Sequence, residues 1–228
     1  MQQTKIGRFG LRVVTPLLAS LAVASSFAYP QEYRFTYSKL FSQLKHNLNH
    51  EQSLVRLGVF FVDTSTGFPC DIDKAWMENP KHYAPLSVSP SGELNLPLDS
   101  NLRQANPLVY VHLEQPVQCD FSMVVVSREP LFEEVSHQQL VLIRDDMQSM
   151  QASLGGMFAR WFTPNIEGVT LEFSQPQGVI TLDNGQQLPV QNHRASIDLR
   201  ELDASTKLSL PAETLRVMPF IPDGRGEI

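Results

Sequence analysis

The clearest hydrophobic pattern in the chain predicts a long amphipathic helix from Ser136 to Phe162. Ser136 and Gln139 have the spacing of a capping box, and Val135 and Leu140 occupy the two hydrophobic-staple positions. Apolar residues then recur every three or four positions, as on one face of a helix. This stripe contains Leu140, Ile143, Met147, Met150, Leu154, Met157 and Trp161. We expect it to pack against the rest of the core.

The chain on both sides of this helix shows mainly β patterns, either alternating or densely apolar. The predicted strands are 54–62, 93–98, 108–113, 119–126, 169–173, 179–182, 187–190, 197–199, 208–210 and 215–217. Asn184-Gly185 predicts a type I′ hairpin turn. Ser38 to Leu48 predicts a short amphipathic helix, whose apolar side fits either tertiary packing or a partner. Residues 77–92 and 99–107 are rich in turn-forming residues and predict loops.

Together these elements predict an α+β fold that is mainly β. We expect an N-terminal β-sheet or sandwich portion, joined by one long amphipathic helix to a smaller C-terminal β portion. The predicted units are a signal peptide at 1–28, an N-terminal β-rich domain with a short helix at 29–135, a connecting helix at 136–163, and a C-terminal β-rich portion at 164–228.

The first 28 residues have the order of a bacterial secretory signal. Lys5, Arg8 and Arg12 precede an apolar run from Val13 to Val23, and small residues end at Ala28. A membrane anchor is the alternative, but the run is shorter than the roughly 20 residues that a span needs. We expect cleavage after Ala28 and a periplasmic protein, with no transmembrane segment in the mature chain.

Charge narrows the classes of partner. Removing the three cations of the signal leaves 15 Lys and Arg against 24 Asp and Glu, a formal charge of -9. Nucleic acids and anionic lipids require a basic face, so neither is expected as the main partner. The partner expected is an unknown protein or envelope ligand.

Five segments resemble an uncharacterised family of exported gammaproteobacterial proteins, known only as a domain of unknown function. They are residues 37–41, 58–63, 74–76, 119–123 and 155–158. The resemblance covers nearly the whole mature chain and implies a periplasmic location without implying an activity. A weaker likeness, which rests on strand spacing in residues 54–126, is to transthyretin-like sandwiches.

Cys70 and Cys119 are the only cysteines, and in an exported protein such a pair predicts a disulfide. A reactive thiol or redox pair is the alternative, although the chain has no Cys-x-x-Cys spacing. Closing a loop of this length contributes about 4 kcal/mol by the chain-entropy estimate. The bond is therefore expected to matter for stability.

Acidic pairs and histidines are the candidates for catalysis or metal binding. The pairs are Asp71 with Asp73, Glu133 with Glu134, and Asp145 with Asp146, and the histidines are His46, His50, His82, His112, His137 and His193. Asp71 and Asp73 would share a strand face and could bind a cation, or could be solvated carboxylates. Asp145 and Asp146 are predicted to face solvent. His46 and His50 have helical spacing but no further ligands nearby.

Trp76, Tyr83 and Trp161 could line a ligand groove, or could belong to the core. The chain has no nucleophile elbow, phosphate-binding loop or dinucleotide fingerprint, so no cofactor is expected. These features favour a non-enzymatic periplasmic binding or envelope-associated interaction module. The alternative is a small periplasmic hydrolase that uses carboxylates or a metal ion, assembled from Asp71, Asp73, His82, His112 or Glu134.

Overall fold

The computed structural model describes residues 29–49, 52–154 and 164–222, and within them the protein is mainly β. The strands are β1 (Tyr29–Thr36), β2 (Val55–Asp63), β3 (Lys74–Asn79), β4 (His82–Pro85), β5 (Leu108–Gln115), β6 (Cys119–Ser127), β7 (Glu134–Ser136), β8 (Gly168–Phe173), β9 (Gln177–Leu182), β10 (Gln187–Gln191), β11 (Arg194–Asp198), β12 (Lys207–Ser209) and β13 (Thr214–Phe220). The helices are α1 (Tyr37–Leu44), α2 (His46–Asn49), α3 (Ser100–Ala105) and α4 (His137–Leu154).

The strands form three antiparallel groups. A four-stranded sheet has the order β1-β5-β3-β4, a two-stranded sheet pairs β2 with β6, and a seven-stranded sheet has the order β13-β8-β11-β10-β9-β12-β7. β13 lies beside β6, and α4 packs against β2, β6 and β8. The short strand β7 precedes α4 in the chain but pairs with β12, so the seven-stranded sheet takes a strand from before the helix.

One hydrophobic cluster joins the sheets. The inner face of the four-stranded sheet packs on the apolar face of β2 and β6, where the rings of Tyr33 and Phe61 lie 4.9 Å apart and those of Phe35 and Phe121 lie 4.7 Å apart. The same cluster contains buried residues of α4 and of the seven-stranded sheet. The division into an N-terminal domain at 29–135 and a C-terminal portion at 164–228 stays a prediction.

β2 pairs with β6 along one edge, and the backbone groups along its other edge find hydrogen-bond partners outside the named strands. The side chain of Asn47 acts here as a neighbouring strand would: its Oδ1 accepts from Leu57 N at 2.7 Å, and its Nδ2 donates to Leu57 O at 2.8 Å. Further along, Leu94 N donates to Val59 O, and Cys70 N donates to Phe61 O. Helix α2, through Asn47, and two loop segments thus satisfy the backbone of a strand that is almost wholly buried.

The predicted single long helix is not supported at its full length. In the described chain α4 ends at Leu154, and residues 155–162 of the prediction, with Met157 and Trp161, lie outside the described residues. Its start follows the capping pattern, since Ser136 Oγ accepts from Gln139 N at 3.2 Å. The buried residues of α4 are Leu140, Ile143, Met147 and Met150. Among the described residues no helix combines the length and apolar character of a membrane span.

The likeness to transthyretin-like sandwiches also finds no support. The strands between residues 54 and 126 bury their apolar faces with the help of β1, α1 and α4, rather than as a self-contained sandwich.

Several local predictions are wrong for identifiable reasons. Residues 93–98 alternate between polar and apolar side chains but form no strand. Leu94 makes only an isolated bridge with Val88, and Pro97 has no N–H to donate to a neighbouring strand. The predicted loop at 77–92 contains the second half of β3 and the whole of β4, and the predicted loop at 99–107 contains α3. The sequence patterns predict no element for residues 29–36, which form β1.

The hairpin between β9 and β10 forms, but its turn is not type I′. That turn needs positive φ at both central residues, whereas here Gly185 has φ 86° and Asn184 is outside the positive region. Gly185 N donates to Leu182 O, as in a type I turn followed by a glycine bulge. The two-residue turn with positive φ at both positions is Asn192-His193, between β10 and β11.

Cys70 and Cys119 form the predicted disulfide, and both residues are buried, at 2% and 0% exposure. The bond closes a loop with a sequence separation of 49 that contains β3, β4, α3 and β5. It therefore attaches three strands of the four-stranded sheet to the end of β6. Its burial gives no support to the alternative of a reactive thiol.

We predict that Met150→Ala lowers the free energy of unfolding by about 2 to 5 kcal/mol, because a fully buried side chain is removed from a packed core. Leu142→Ala is the matched control on the same helix, since Leu142 is 52% exposed, and should change the stability by about 0.5 kcal/mol or less. Chemical denaturation of both variants measures this. Equal midpoints would show that the buried stripe of α4 contributes nothing.

We predict that the unfolded, non-reduced protein contains no reactive thiol, and that the double Cys70→Ser, Cys119→Ser change costs about 2 to 5 kcal/mol, because it frees the unfolded chain from a long closed loop. A thiol reagent and denaturant titration test the two parts. Detection of two thiols per chain would contradict the disulfide.

Candidate functional site

Three aromatic side chains lie next to one another on the outer side of the four-stranded sheet. Tyr110 on β5 pairs directly with Trp76 on β3, and Tyr83 on β4 lies diagonally beyond it. The rings of Trp76 and Tyr110 are stacked at 5.0 Å with planes 7° apart, and those of Trp76 and Tyr83 lie 6.5 Å and 28° apart. We call these three residues the aromatic face.

The polar neighbours of the aromatic face carry both signs of charge. Lys74 Nζ lies 5.2 Å from the centre of the Trp76 ring, as in a cation–π contact, and Trp76 Nε1 donates to Glu78 Oε2 at 3.1 Å. Tyr83 is the most exposed member, at 56%. The surface is open and apolar with a charged border, so it is suited to contact with another molecule rather than to enclosing one.

The sequence patterns identify only part of the aromatic face. Trp76 and Tyr83 come together, Trp161 lies outside the described residues, and Tyr110 was missed. Tyr110 alternates with buried Val109 and Val111, so its outward position follows from the strand period once β5 is known to be covered on one face only.

A cavity of about 520 Å³ lies elsewhere, where β2 and β6 meet the start of β13. We call it the junction cavity. Its lining residues are Arg56, Phe60, Ser89, Pro90, Ser91, Glu93, Val126, Ser127, Arg128, Pro130, Ser174, Gln175, Ala212, Glu213, Thr214, Leu215 and Arg216. None of these residues was identified as a site residue from the sequence, because they come from five separate segments.

Arg56 and Glu93 form a two-point ion pair on one wall of the junction cavity. Nη1 donates to Oε1, and Nη2 donates to Oε2 at 2.7 Å. Gly58 makes this possible, because a Cβ atom there would lie 2.8 Å from the Phe60 ring and 2.9 Å from Glu93 Oε1. Glycine thus leaves room for a carboxylate to lie across β2.

A second ionic group includes Arg216 of the cavity lining. Glu172 on β8 accepts from Arg216 Nη2 at 2.9 Å and from Arg194 Nε at 2.8 Å. The Arg216 guanidinium stacks 4.7 Å above Phe60, and that of Arg194 stacks 3.9 Å above Phe68. Burial lowers the pKa of Arg216, while the charge and hydrogen bond of Glu172 oppose that shift.

The predicted acidic pairs do not assemble a catalytic set. Asp71 and Asp73 precede β3 instead of sharing a strand face. Asp73 Oδ2 lies 3.3 Å from His112 Nδ1, but its side chain is 57% exposed. Glu134 pairs with Lys207 at the surface. Among residues 29–49, 52–154 and 164–222, no three His, Cys, Asp or Glu side chains are grouped as a metal site.

Asp146 differs from its prediction as a solvent-facing charge. Its Oδ2 accepts from Leu54 N at 2.6 Å and from Ser53 Oγ at 2.9 Å, so it fixes the entry to β2. Asp145 is exposed, at 59% for its side chain, as predicted.

The histidines are dispersed. His82 is exposed, His137 Nε2 and His193 Nδ1 lie within hydrogen-bond distance of backbone oxygens, and His50 is outside the described residues. None of the hydrolase candidates Asp71, Asp73, His82, His112 and Glu134 lines the junction cavity.

The fold and its surfaces define a mainly β, disulfide-bonded protein with an aromatic face and an arginine-lined cavity. Residues 29–173 match the family described as "Protein of unknown function (DUF2987)", and this match covers more than half of the chain. The chain therefore belongs to that family, which agrees with the resemblance to a domain of unknown function. No curated protein and no solved structure matches the chain significantly.

We predict that Glu172→Ala lowers the free energy of unfolding by about 3 to 5 kcal/mol, because it leaves the buried Arg216 guanidinium without its counter-charge. Glu134→Ala is the control, since the Glu134–Lys207 pair is more than half exposed and should contribute little to stability. Denaturant unfolding compares the two. A Glu172 variant as stable as the control would contradict the assigned role.

Proposed function

We propose that this protein is exported to the periplasm and acts there as a non-enzymatic interaction module, which binds another protein through its aromatic face. The observation that carries the proposal is the row of Tyr110, Trp76 and Tyr83 on the outer side of a sheet whose inner side already supplies the core.

Several observations support export, with cleavage after Ala28. The buried disulfide fits an oxidising compartment. The family match begins at residue 29, the first residue expected after cleavage. The amino-terminal order of basic, apolar and small residues is typical of a secretory signal. The resemblance to exported gammaproteobacterial proteins points to the same compartment.

The chemistry of the aromatic face favours a protein partner. Tryptophan and tyrosine are the side chains most enriched at the energetic centres of protein interfaces. Here they lie side by side, so a partner would cover one continuous surface. Lys74 and Glu78 beside them supply charged groups of the kind found at the rim of an interface. Since Trp76 is stacked against its neighbours, it is held in place before a partner arrives.

The alternative function is a small hydrolase, and one observation favours it. Asp73 and His112 lie together and could act as an acid–base pair. They lie at the solvent-facing side of the sheet, and neither lines the junction cavity. The interaction module is therefore the better supported proposal.

We predict that a photo-crosslinking amino acid at position 83 captures a protein partner in living cells, because Tyr83 projects from the aromatic face. The same amino acid at Phe132, an aromatic position that is 61% exposed and outside this face, is the control. Mass spectrometry of the adducts identifies the partner. Trp76→Ala should weaken capture at position 83.

Equal crosslinking from positions 83 and 132 would contradict the proposal. Loss of a hydrolytic activity in Asp73→Asn, with crosslinking unchanged, would favour the alternative.

A further inference from the structure

The four-stranded sheet has an open edge at β1, and we propose that β1 pairs there, antiparallel, with β1 of a second copy of this chain. The two four-stranded sheets then form one eight-stranded sheet across a symmetric dimer. The strand order β1-β5-β3-β4 makes β1 and β4 the two outer strands. β4 has only four residues, whereas β1 is paired with β5 over eight. A long strand with one unpaired edge is a template for pairing with another chain.

The free edge of β1 carries a defined set of backbone donors and acceptors. Tyr37 N donates to Pro107 O at 2.9 Å, directly after the ladder between β1 and β5. Hydrogen-bonded residues alternate along an antiparallel strand, so every second residue before Tyr37 bonds to β5 and the others direct their backbone groups to the free edge. The edge residues are Pro30, Glu32, Arg34 and Thr36. Apart from the carbonyl of Thr36, the N-cap of α1, these groups have no hydrogen-bond partner in residues 29–49, 52–154 and 164–222.

Charge selects one register for the pairing of the two copies. The side chains of Glu32 and Arg34 are exposed, and neither has an ion pair or hydrogen bond within the described part of the chain. A two-fold axis at Tyr33 places Glu32 of each copy directly opposite Arg34 of the other, so two cross-strand ion pairs form. A shift by two residues in either direction sets Glu32 against Glu32 or Arg34 against Arg34. The strand is therefore complementary to itself in one register only.

The backbone at both ends of β1 fits the same register. With Tyr33 at the centre, Thr36 of one copy lies opposite Pro30 of the other, and the Thr36 N–H donates to the Pro30 carbonyl. Pro30 has no N–H to return, and the Thr36 carbonyl needs none because it already accepts the first hydrogen bond of α1. Every donor and acceptor left free on the edge is thus paired in the dimer.

The inner side of β1 also has apolar surface for a second copy to cover. Tyr33 and Phe35 pack against the core but are only partly buried. In the dimer the two Tyr33 side chains lie opposite each other, which removes more aromatic surface from water. The dimer does not depend on the function proposed for the aromatic face, although both aromatic faces would lie on the same side of the eight-stranded sheet.

The test is analytical ultracentrifugation of the purified protein over a range of concentrations, in which we expect a monomer–dimer equilibrium. Arg34→Glu should weaken the dimer about tenfold or more, because both ion pairs become repulsive contacts between carboxylates. Glu32→Arg should do the same with two cations. An equal mixture of the two variants should restore dimers, because an edge with two acidic residues then meets an edge with two basic residues.

Lys81→Glu is the matched control, since it reverses the charge of an exposed residue between β3 and β4, at the opposite edge of the sheet. Its dimer dissociation constant should stay within about twofold of that of the unchanged protein. Hydrogen exchange at the amides of Glu32 and Arg34 should be slow in the dimer and fast in the Arg34→Glu variant.

Three results would overturn the proposal. They are a protein that is monomeric at every concentration, a dimer that neither single variant weakens, and a mixture of the two variants that forms no dimers.

Discussion

The carboxylate of Glu172 accepts hydrogen bonds from Arg194 and Arg216 in a part of the protein where the ion pair is largely removed from water. A buried pair of this kind adds little over well-packed apolar residues, but losing one partner is costly. Its main effect is therefore geometric. β8, β11 and β13 must keep the register that brings the three side chains together, and the two guanidinium groups then cover Phe60 and Phe68. Through these contacts one carboxylate fixes the seven-stranded sheet against β2.

The two candidate surfaces depend on this arrangement to different degrees. The junction cavity is lined by parts of the two-stranded sheet, of the seven-stranded sheet and of the loop at residues 89–93, so its shape follows from how β13 meets β2 and β6. The aromatic face lies on strands β3, β4 and β5 and depends on strand pairing within one sheet. Since the two share no residue, a change that alters one is expected to leave the other intact.

Sequence patterns located the elements that are densely apolar, that alternate between apolar and polar side chains, or that repeat with a helical period, such as β2, β6 and the start of α4 at Ser136. They failed for β4, which is exposed along its whole length and so has no alternation to detect. They also failed for Glu172, which occupies a strand position that normally faces solvent. Its partners are 22 and 44 residues away, so only the folded sheet brings the three charges together. The junction cavity was missed for the same reason.

The burial of Cys70 and Cys119 also constrains the order of events when the protein folds. Once the surrounding strands have packed, the sulfur atoms are out of reach of any external oxidant or reductant. Oxidation must therefore occur while the chain is still partly open, before β6 and the segment after β2 are covered. After that point the covalent link between the sheets is protected kinetically, and only local opening of the structure can expose it again.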